Sequence, residues 1–385
     1  MFTSLALVVL AGLLGPLLGA SRRARVPVLV GELIGGAILG RTGLRLIDPG
    51  IQPFVAFSLI GFAMLMLDSG TEVDLRAPPL RAGAVRGAVA FAVVLAASLP
   101  AGLAIGALAG SSRPILFTVL LAGSSAAVAF PTIQEGRLDG PAIPFVIAWI
   151  TLADVLTAIL LPLTLIGVGR IPLALAGDAL IVLVAAATVV AGRRVSRTTL
   201  ANEARRESKQ RRWALRLRLS ILLLLVLAAI SERTGASLLI AGFAAGIVLR
   251  QFRQPQRRLG LELTGLASGF FVPAFFVLLG ANLDLRGMVR SPAAIALALA
   301  MLAGATIVHL IGALVAGRQA RLAAGLLASA QLGLPAAAAS LGLATHALSP
   351  QFAAAIVAGG LLTLIPATAG AVLMSRPHAP AAAQA

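Results

Sequence analysis

The stretch WITLADVLTA, residues 149–158, holds one carboxylate, Asp154, inside an otherwise apolar run. Thr151 and Thr157 stand three residues to either side of it. Residues three apart share a helical face, so two hydroxyl oxygens would flank the acid. Asp154 lies about twelve residues into its run, ~18 Å deep at ~1.5 Å per residue, near the middle of a ~30 Å hydrocarbon core. An Asp at that depth costs about 2.5–3.5 kcal/mol to insert. Either a proton or a desolvated cation can neutralise it, and the two exclude each other. A group with that choice can trade one ion for the other, so Asp154 is the expected monovalent-cation and proton site. The plainer reading is an Asp that caps an interrupted neighbouring helix.

Other groups could assist. His309, in ATIVHLIGAL, is the other titratable residue in mid-run; it could pair with Asp154, release a proton of its own, or simply pack. Glu32 sits about five residues into the second apolar run, and Asp68, Glu72 and Asp74 crowd the inner end of the third. Together they could form an acidic cytoplasmic funnel that concentrates cations, although Glu72 and Asp74 also suit solvated helix caps. AGSSAAVAFPT (122–132) brings Ser124, Ser125 and Pro131 into one run, and ASAQLGLPAAAA (328–339) brings Ser329, Gln331, Gly333 and Pro335 into another. Proline removes a backbone donor and clashes one turn back. Irregular backbone at membrane depth is tolerated only inside protein or along a cavity. Two such helices, crossed at their breaks, would aim half-helix ends at one point. Ser124 and Ser125 could then give oxygens, with Gln331 compensating charge. Each break alone would also fit a simple proline kink.

The elements that must position these groups are transmembrane. Hydrophobic residues make up 59% of the chain and charged ones 12%, with mean hydropathy +0.99, against roughly 25% charged in soluble domains. Apolar runs fall near 2–20, 27–44, 52–69, 84–109, 114–133, 142–168, 172–192, 215–231, 236–250, 263–281, 292–316, 321–345 and 351–374, which predicts an all-α polytopic membrane protein of about thirteen helices. The chain has no cysteine and three scattered histidines, so no metal cluster and no disulfide is expected. The net charge of +17 comes without an aromatic stacking platform, which argues against nucleic acid and for topology.

Basic residues are distributed unevenly between the two sides. With the N-terminus outside, the inward segments hold 24 Lys and Arg and the outward ones 7. That asymmetry puts the C-terminus in the cytoplasm. The cluster SRRAR at 21–25 follows the first apolar run rather than preceding it, which describes a retained first span and not a cleaved signal. The tail after the last run is short, so no soluble regulatory domain is expected to follow. The one long polar segment, 193–218, carries ten basic residues; it reads as a topology anchor in contact with anionic lipid headgroups.

The chain also repeats itself. GTEVDLR at 70–76 recurs as GANLDLR at 280–286, and the same shift of 210 lays VPVLVGELIGGAILG (26–40) over ASLLIAGFAAGIVLR (236–250). The copies are an odd number of helices apart, which predicts an inverted repeat, a hallmark of secondary transporters. The expected organisation is a first repeat plus linking helix over 1–192, the basic loop 193–218, and a second repeat over 219–376.

These residues resemble the monovalent cation:proton antiporters of the sodium/hydrogen exchanger type, in the branch that includes the potassium-efflux systems. PVLVGELIGGAILG (27–40) is similar to that branch's second-helix signature, LDSGTEVDL (67–75) to its third-helix end, and PAFFVLLGANLDL (273–285) to the counterpart in the second half. ADV at 153–155 falls where the family has its ion-binding pair. The resemblance implies a six-plus-six inverted-repeat fold in which two broken helices cross. It implies a core domain from 84–168 and 292–374, a dimerisation domain from the remaining spans, an elevator-like movement and homodimers. By position, Asp154 matches the cation- and proton-binding Asp, and Ser124 to Pro131 the unwound helix. Three residues depart from the pattern. Ala153 replaces the Asn or Asp before the acid, which points to electroneutral exchange. His309 stands where many members have Lys or Arg, and Leu334 where many have Glu.

The expected function is secondary exchange of Na⁺ or K⁺ for protons across the inner cell membrane, with no cofactor. Two rivals are a sodium-coupled organic-anion symporter on a related fold and a non-transport membrane protein. The symporter would call for about ten spans and more polar side chains at the crossover. An intramembrane protease would need a Ser–Lys, Ser–His or double-Asp set, and the chain has a single lysine, Lys209, in the basic loop.

Overall fold

The computed structural model describes residues 2–20, 27–72, 78–135, 138–140, 142–166, 168–211, 213–252 and 265–375. The SRRAR cluster, Asp74, the basic residues 253–258, the tail from 376 and the side chains of Glu72 and Pro131 lie outside the described residues. Among the described residues every regular element is helical. The chain opens with α1 (Phe2–Gly12), α2 (Leu14–Gly19), α3 (Val28–Leu39), α4 (Gln52–Glu72) and α5 (Pro78–Leu108). Then come α6 (Pro114–Ala122), α7 (Ala126–Glu135), α8 (Ile143–Leu165), α9 (Ile171–Val195) and α10 (Thr199–Gln210). They are followed by α11 (Leu215–Thr234), α12 (Leu238–Gln251), α13 (Val272–Asn282) and α14 (Pro292–Gly312). The last four are α15 (Arg321–Ala328), α16 (Gly333–Ala344), α17 (Pro350–Leu362) and α18 (Leu364–Ser375).

Eight helical stretches among the described residues are long and apolar enough to cross a membrane, and three shorter apolar helices accompany them. The run expected to span at 114–133 is divided into α6 and α7 by residues 123–125. That at 215–231 forms α11, which carries arginines at both ends. Helix starts use the expected chemistry. Pro292 and Pro350 occupy first turns, where their missing N–H is no loss, and Ser291 and Ser349 cap the same turns by accepting from Ala294 N and Phe352 N. The basic segment is more ordered than a loop. Its alanine, glutamate, arginine and lysine content favours helix, and it forms α10 behind a Thr198 cap, with an Arg211–Glu207 ion pair of 2.8 Å at its end.

The chain divides into two compact units. Unit 1 is Met1–Asp74 with Ile166–Asp284, and unit 2 is Leu75–Leu165 with Leu285–Ala385. Each is made of two separate pieces of the chain, and the borders after Asp74 and Asp284 are 210 residues apart.

Within unit 1, glycines bring backbones into contact in reciprocal pairs. A Cβ at Gly36 would strike the Val277 carbonyl, and one at Gly246 the Leu67 carbonyl. Gly280 lies in the same way on Leu33, and Gly70 on Phe243. Adding 210 to one partner and subtracting it from the other turns each contact into its mate. Around them Phe62 and Phe275 pack at 5.3 Å between ring centroids.

Unit 2 is built around α15 and α16. Most residues of the stretch Arg321–Ala344 are buried, which makes it the centre of the unit. Its alanines, Ala336 to Ala339 among them, let neighbouring backbones approach. Trp149 on α8 is fully buried there.

The glycine contacts make a direct stability test. Gly36→Val should lower stability by about 1–3 kcal/mol through overpacking. Gly169→Ala, which meets nothing within 4 Å, should change it by less than about 0.5 kcal/mol. Thermal unfolding in detergent reads both.

Candidate functional site

The expected site residues of unit 2 converge on two helix breaks. The first, residues 123–125, separates α6 from α7; the second, residues 329–332, separates α15 from α16. A break exposes carbonyls on one side and N–H groups on the other. The carbonyl ends of α6 and α15 and the N–H end of α7 each find a partner from a different element.

Gln331, in the second break, aims its amide at the first. Its Nε2 donates to Leu120 O at 2.7 Å and Gly123 O at 3.0 Å, the carbonyl end of α6. Ser124 returns the contact from the first break, donating to Ala328 O at 2.6 Å at the end of α15. The backbone N–H of Gln331 donates to Thr363 Oγ1 at 2.9 Å, and Thr363 donates to Gly360 O at 2.6 Å. Thr363, between α17 and α18, thus anchors the second break. Gln331 Oε1 is buried with no hydrogen-bond partner among the described residues.

Asp154 meets the opposite end. Its Oδ2 accepts from Ala126 N, the first residue of α7, at 3.3 Å. The acid therefore sits on the positive end of a half-helix. It is only partly buried, unlike the serines and threonines around it. Ser125 is buried beside it, with its carbonyl starting the first turn of α7. Thr151 and Thr157 are buried on α8 and donate to Ile147 O at 2.8 Å and Ala153 O at 2.6 Å. Their hydroxyl protons are spent on the helix, which leaves their oxygens as acceptors. Leu334 is buried against Gly123, so an apolar contact fills the place where the resemblance leads one to look for a Glu.

His309 is brought close to α8 but not onto Asp154. Its Nδ1 faces Ala305 O at 2.8 Å, which assigns the proton to that nitrogen. Nε2 is buried without a hydrogen-bond partner. The ring stacks on Trp149, 5.6 Å between centroids and 23° between planes. Trp149 in turn meets Phe145, over which the Arg86 guanidinium lies at 5.4 Å. The contact with α8 is therefore an aromatic one.

The acids expected to form a funnel belong to unit 1. Asp68 on α4 is partly buried, while Glu32 on α3 is 3% exposed. Sequence reasoning passed over Asp178. This residue of α9 is buried, and its Oδ1 accepts from Ser237 N at 2.9 Å at the start of α12. The signal was available, since Asp178 is the lone acid in the α9 run. It stands only about seven residues in, at a depth where a cap is as natural as a site.

With this geometry in view, the chain can be set beside known proteins. The profile of the family described as sodium/hydrogen exchanger, transmembrane, matches residues 7–375. The chain belongs to that family. The putative Na(+)/H(+) antiporter YjbQ of Bacillus subtilis (strain 168) is 26% identical over 379 residues, which cover 92% of this chain and 60% of that protein. The chain thus spans about 60% of the length of the curated relative it matches. Among solved structures, the sodium proton antiporter MjNhaP1 from Methanocaldococcus jannaschii at pH 8 superposes with a TM-score of 0.65 at 16% identity, over 97% of this chain and 96% of that one. The likeness shows the fold: an all-helical, multi-pass membrane protein of the antiporter architecture.

The reciprocal capping generates a test. Gln331→Leu removes the donor facing Leu120 O and Gly123 O, and each orphaned buried carbonyl should cost about 1–3 kcal/mol. A clear drop in melting temperature is expected in detergent. An unchanged melt would show that the amide does not hold the crossing.

Proposed function

We propose that this exchanger-family protein trades a monovalent cation, Na⁺ or K⁺, for protons by alternating access, with Asp154 as the shared site. The observation that carries the reading is the Asp154 carboxylate at the start of α7, in the unit where the breaks of α6–α7 and α15–α16 cap one another. A carboxylate offers about four lone-pair positions, and the bond from Ala126 N takes one of them. Asp154 is less buried than Ser124, Ser125, Thr151 and Thr157, as an ion site that must load and unload requires. Thr151, Thr157, Ser124 and Ser125 are the nearby oxygen sources. The Bacillus relative, a putative Na(+)/H(+) antiporter, points to sodium, and the potassium-efflux resemblance keeps potassium as the alternative.

Several finer features follow from the same reading. Ala153 leaves one carboxylate at this position, so one charge entering replaces one leaving and exchange is electroneutral. Unit 2 is the moving core and unit 1 the dimerisation scaffold of a homodimer. The 210-residue shift linking the borders of the units and the glycine contacts of unit 1 supports an inverted repeat. The apolar runs support thirteen spans, and the basic-residue asymmetry an outside N-terminus and a cytoplasmic C-terminus, in the inner membrane. Segment 193–218, with exposed Arg193, Arg194, Arg197 and Arg206, lies against anionic headgroups. The organic-anion symporter reading gains no support from the apolar Leu334 at the crossing.

Asp154→Asn provides the test. The amide keeps an oxygen to accept from Ala126 N, so the break stays capped while the charge is lost. The variant should insert normally and show no cation-dependent proton flux in proteoliposomes; robust coupled transport would overturn the assignment. His309→Ala should shift the pH profile of exchange without abolishing turnover, and an unchanged profile would remove His309 from the mechanism.

A further inference from the structure

Glu32 is the most enclosed acid that the proposed exchange does not use. It lies on α3 at 3% exposure. Its side chain is accommodated by a glycine: a Cβ on Gly15 of α2 would come within 2.8 Å of Glu32 Cγ. Gly31 and Gly35 flank it on the same helix and bring α3 onto the Leu14 and Ala11 carbonyls. The acid is therefore built into a tight helix crossing and is not a surface residue folded inward.

Among the described residues, none of the helices packed on it supplies a counter-charge. The helices that pack on α3 are α1, α2 and α13, with sequences FTSLALVVLAG, LGPLLG and VPAFFVLLGAN. None holds a charged or titratable side chain. On α3 itself, VLVGELIGGAIL, Glu32 is the only one. Among the described residues Glu32 makes no ion pair and no hydrogen bond. An ionised carboxylate without partners is strongly disfavoured in such surroundings, and a bound proton removes the charge without demanding a partner of opposite sign.

We propose that Glu32 is a second proton-binding site, carried by unit 1 and separate from Asp154. Its proton is resident at neutral pH and keeps the α2–α3 crossing uncharged. Losing it in alkali places a bare negative charge among three apolar helices and loosens that crossing. The ligand is a proton and not a metal cation, because no second oxygen-bearing acid stands on the helices packed around it. This assignment is independent of the transport reading for Asp154.

Two measurements on the full chain in detergent test it. The first is labelling with dicyclohexylcarbodiimide, an apolar reagent that adds to protonated carboxyls, followed by peptide mass spectrometry. A Glu32 adduct is expected at neutral pH and should persist in Asp154→Asn. The second compares melting curves of the native protein and Glu32→Gln as pH rises from about 6 to about 9. A carboxyl that holds its proton in the fold and not in the unfolded chain loses stability as pH rises through its folded titration. The native protein should therefore lose more stability over this range than Glu32→Gln, whose neutral amide cannot titrate. Failure to label Glu32 together with parallel melting curves would overturn the proposal. A divergence of the curves supports it even if the reagent cannot reach the crossing.

Discussion

The structure of unit 2 depends on one constraint: a helix interrupted at membrane depth must satisfy the backbone groups it frees. Hydrocarbon cannot do so, and each orphaned polar group is expensive there. The two breaks answer the problem with each other. Gln331 covers the carbonyl end of α6, Ser124 covers that of α15, and Asp154 takes the N–H end of α7. The amide of Gln331 is neutral, so the carbonyl ends are satisfied by hydrogen bonds without a fixed cation. Asp154 is the charged member of this capping set.

Unit 1 solves a different problem. Its helices approach until backbones touch, and glycines at Gly36, Gly70, Gly246 and Gly280 make that approach possible. Such contacts leave little room for adjustment, which suits a rigid frame. Asp178 contributes to that frame by holding the start of α12 through Ser237 N. A buried acid in a membrane protein therefore has more than one use, and its neighbours decide which. Asp178 meets a helix start from another element, and Glu32 meets none.

Much of this was legible in the sequence because apolar runs, prolines and repeated motifs are local signals. The breaks near Ser124 and Gln331 followed from small residues and proline in matching places. What sequence could not provide was direction. His309 and Asp154 are both titratable residues in mid-run, yet the imidazole turns to Ala305 O and stacks on Trp149. Spacing along one helix says nothing about which neighbour a ring will face. The helix at Thr199–Gln210 was hidden for another reason: its charge pattern advertises topology more loudly than its helix-forming residues advertise structure. Asp178 was passed over because its value lies in Ser237, 59 residues away.

The central claim is that one carboxylate gives up a proton when it takes a metal ion. The most direct measurement is proton release on adding Na⁺ or K⁺ to the purified protein in weakly buffered detergent solution, followed with a pH dye beside calorimetric cation binding. The account predicts about one proton released for each cation bound, with both signals lost together when Asp154 is neutralised. Cation binding at full stoichiometry with no proton released would contradict it.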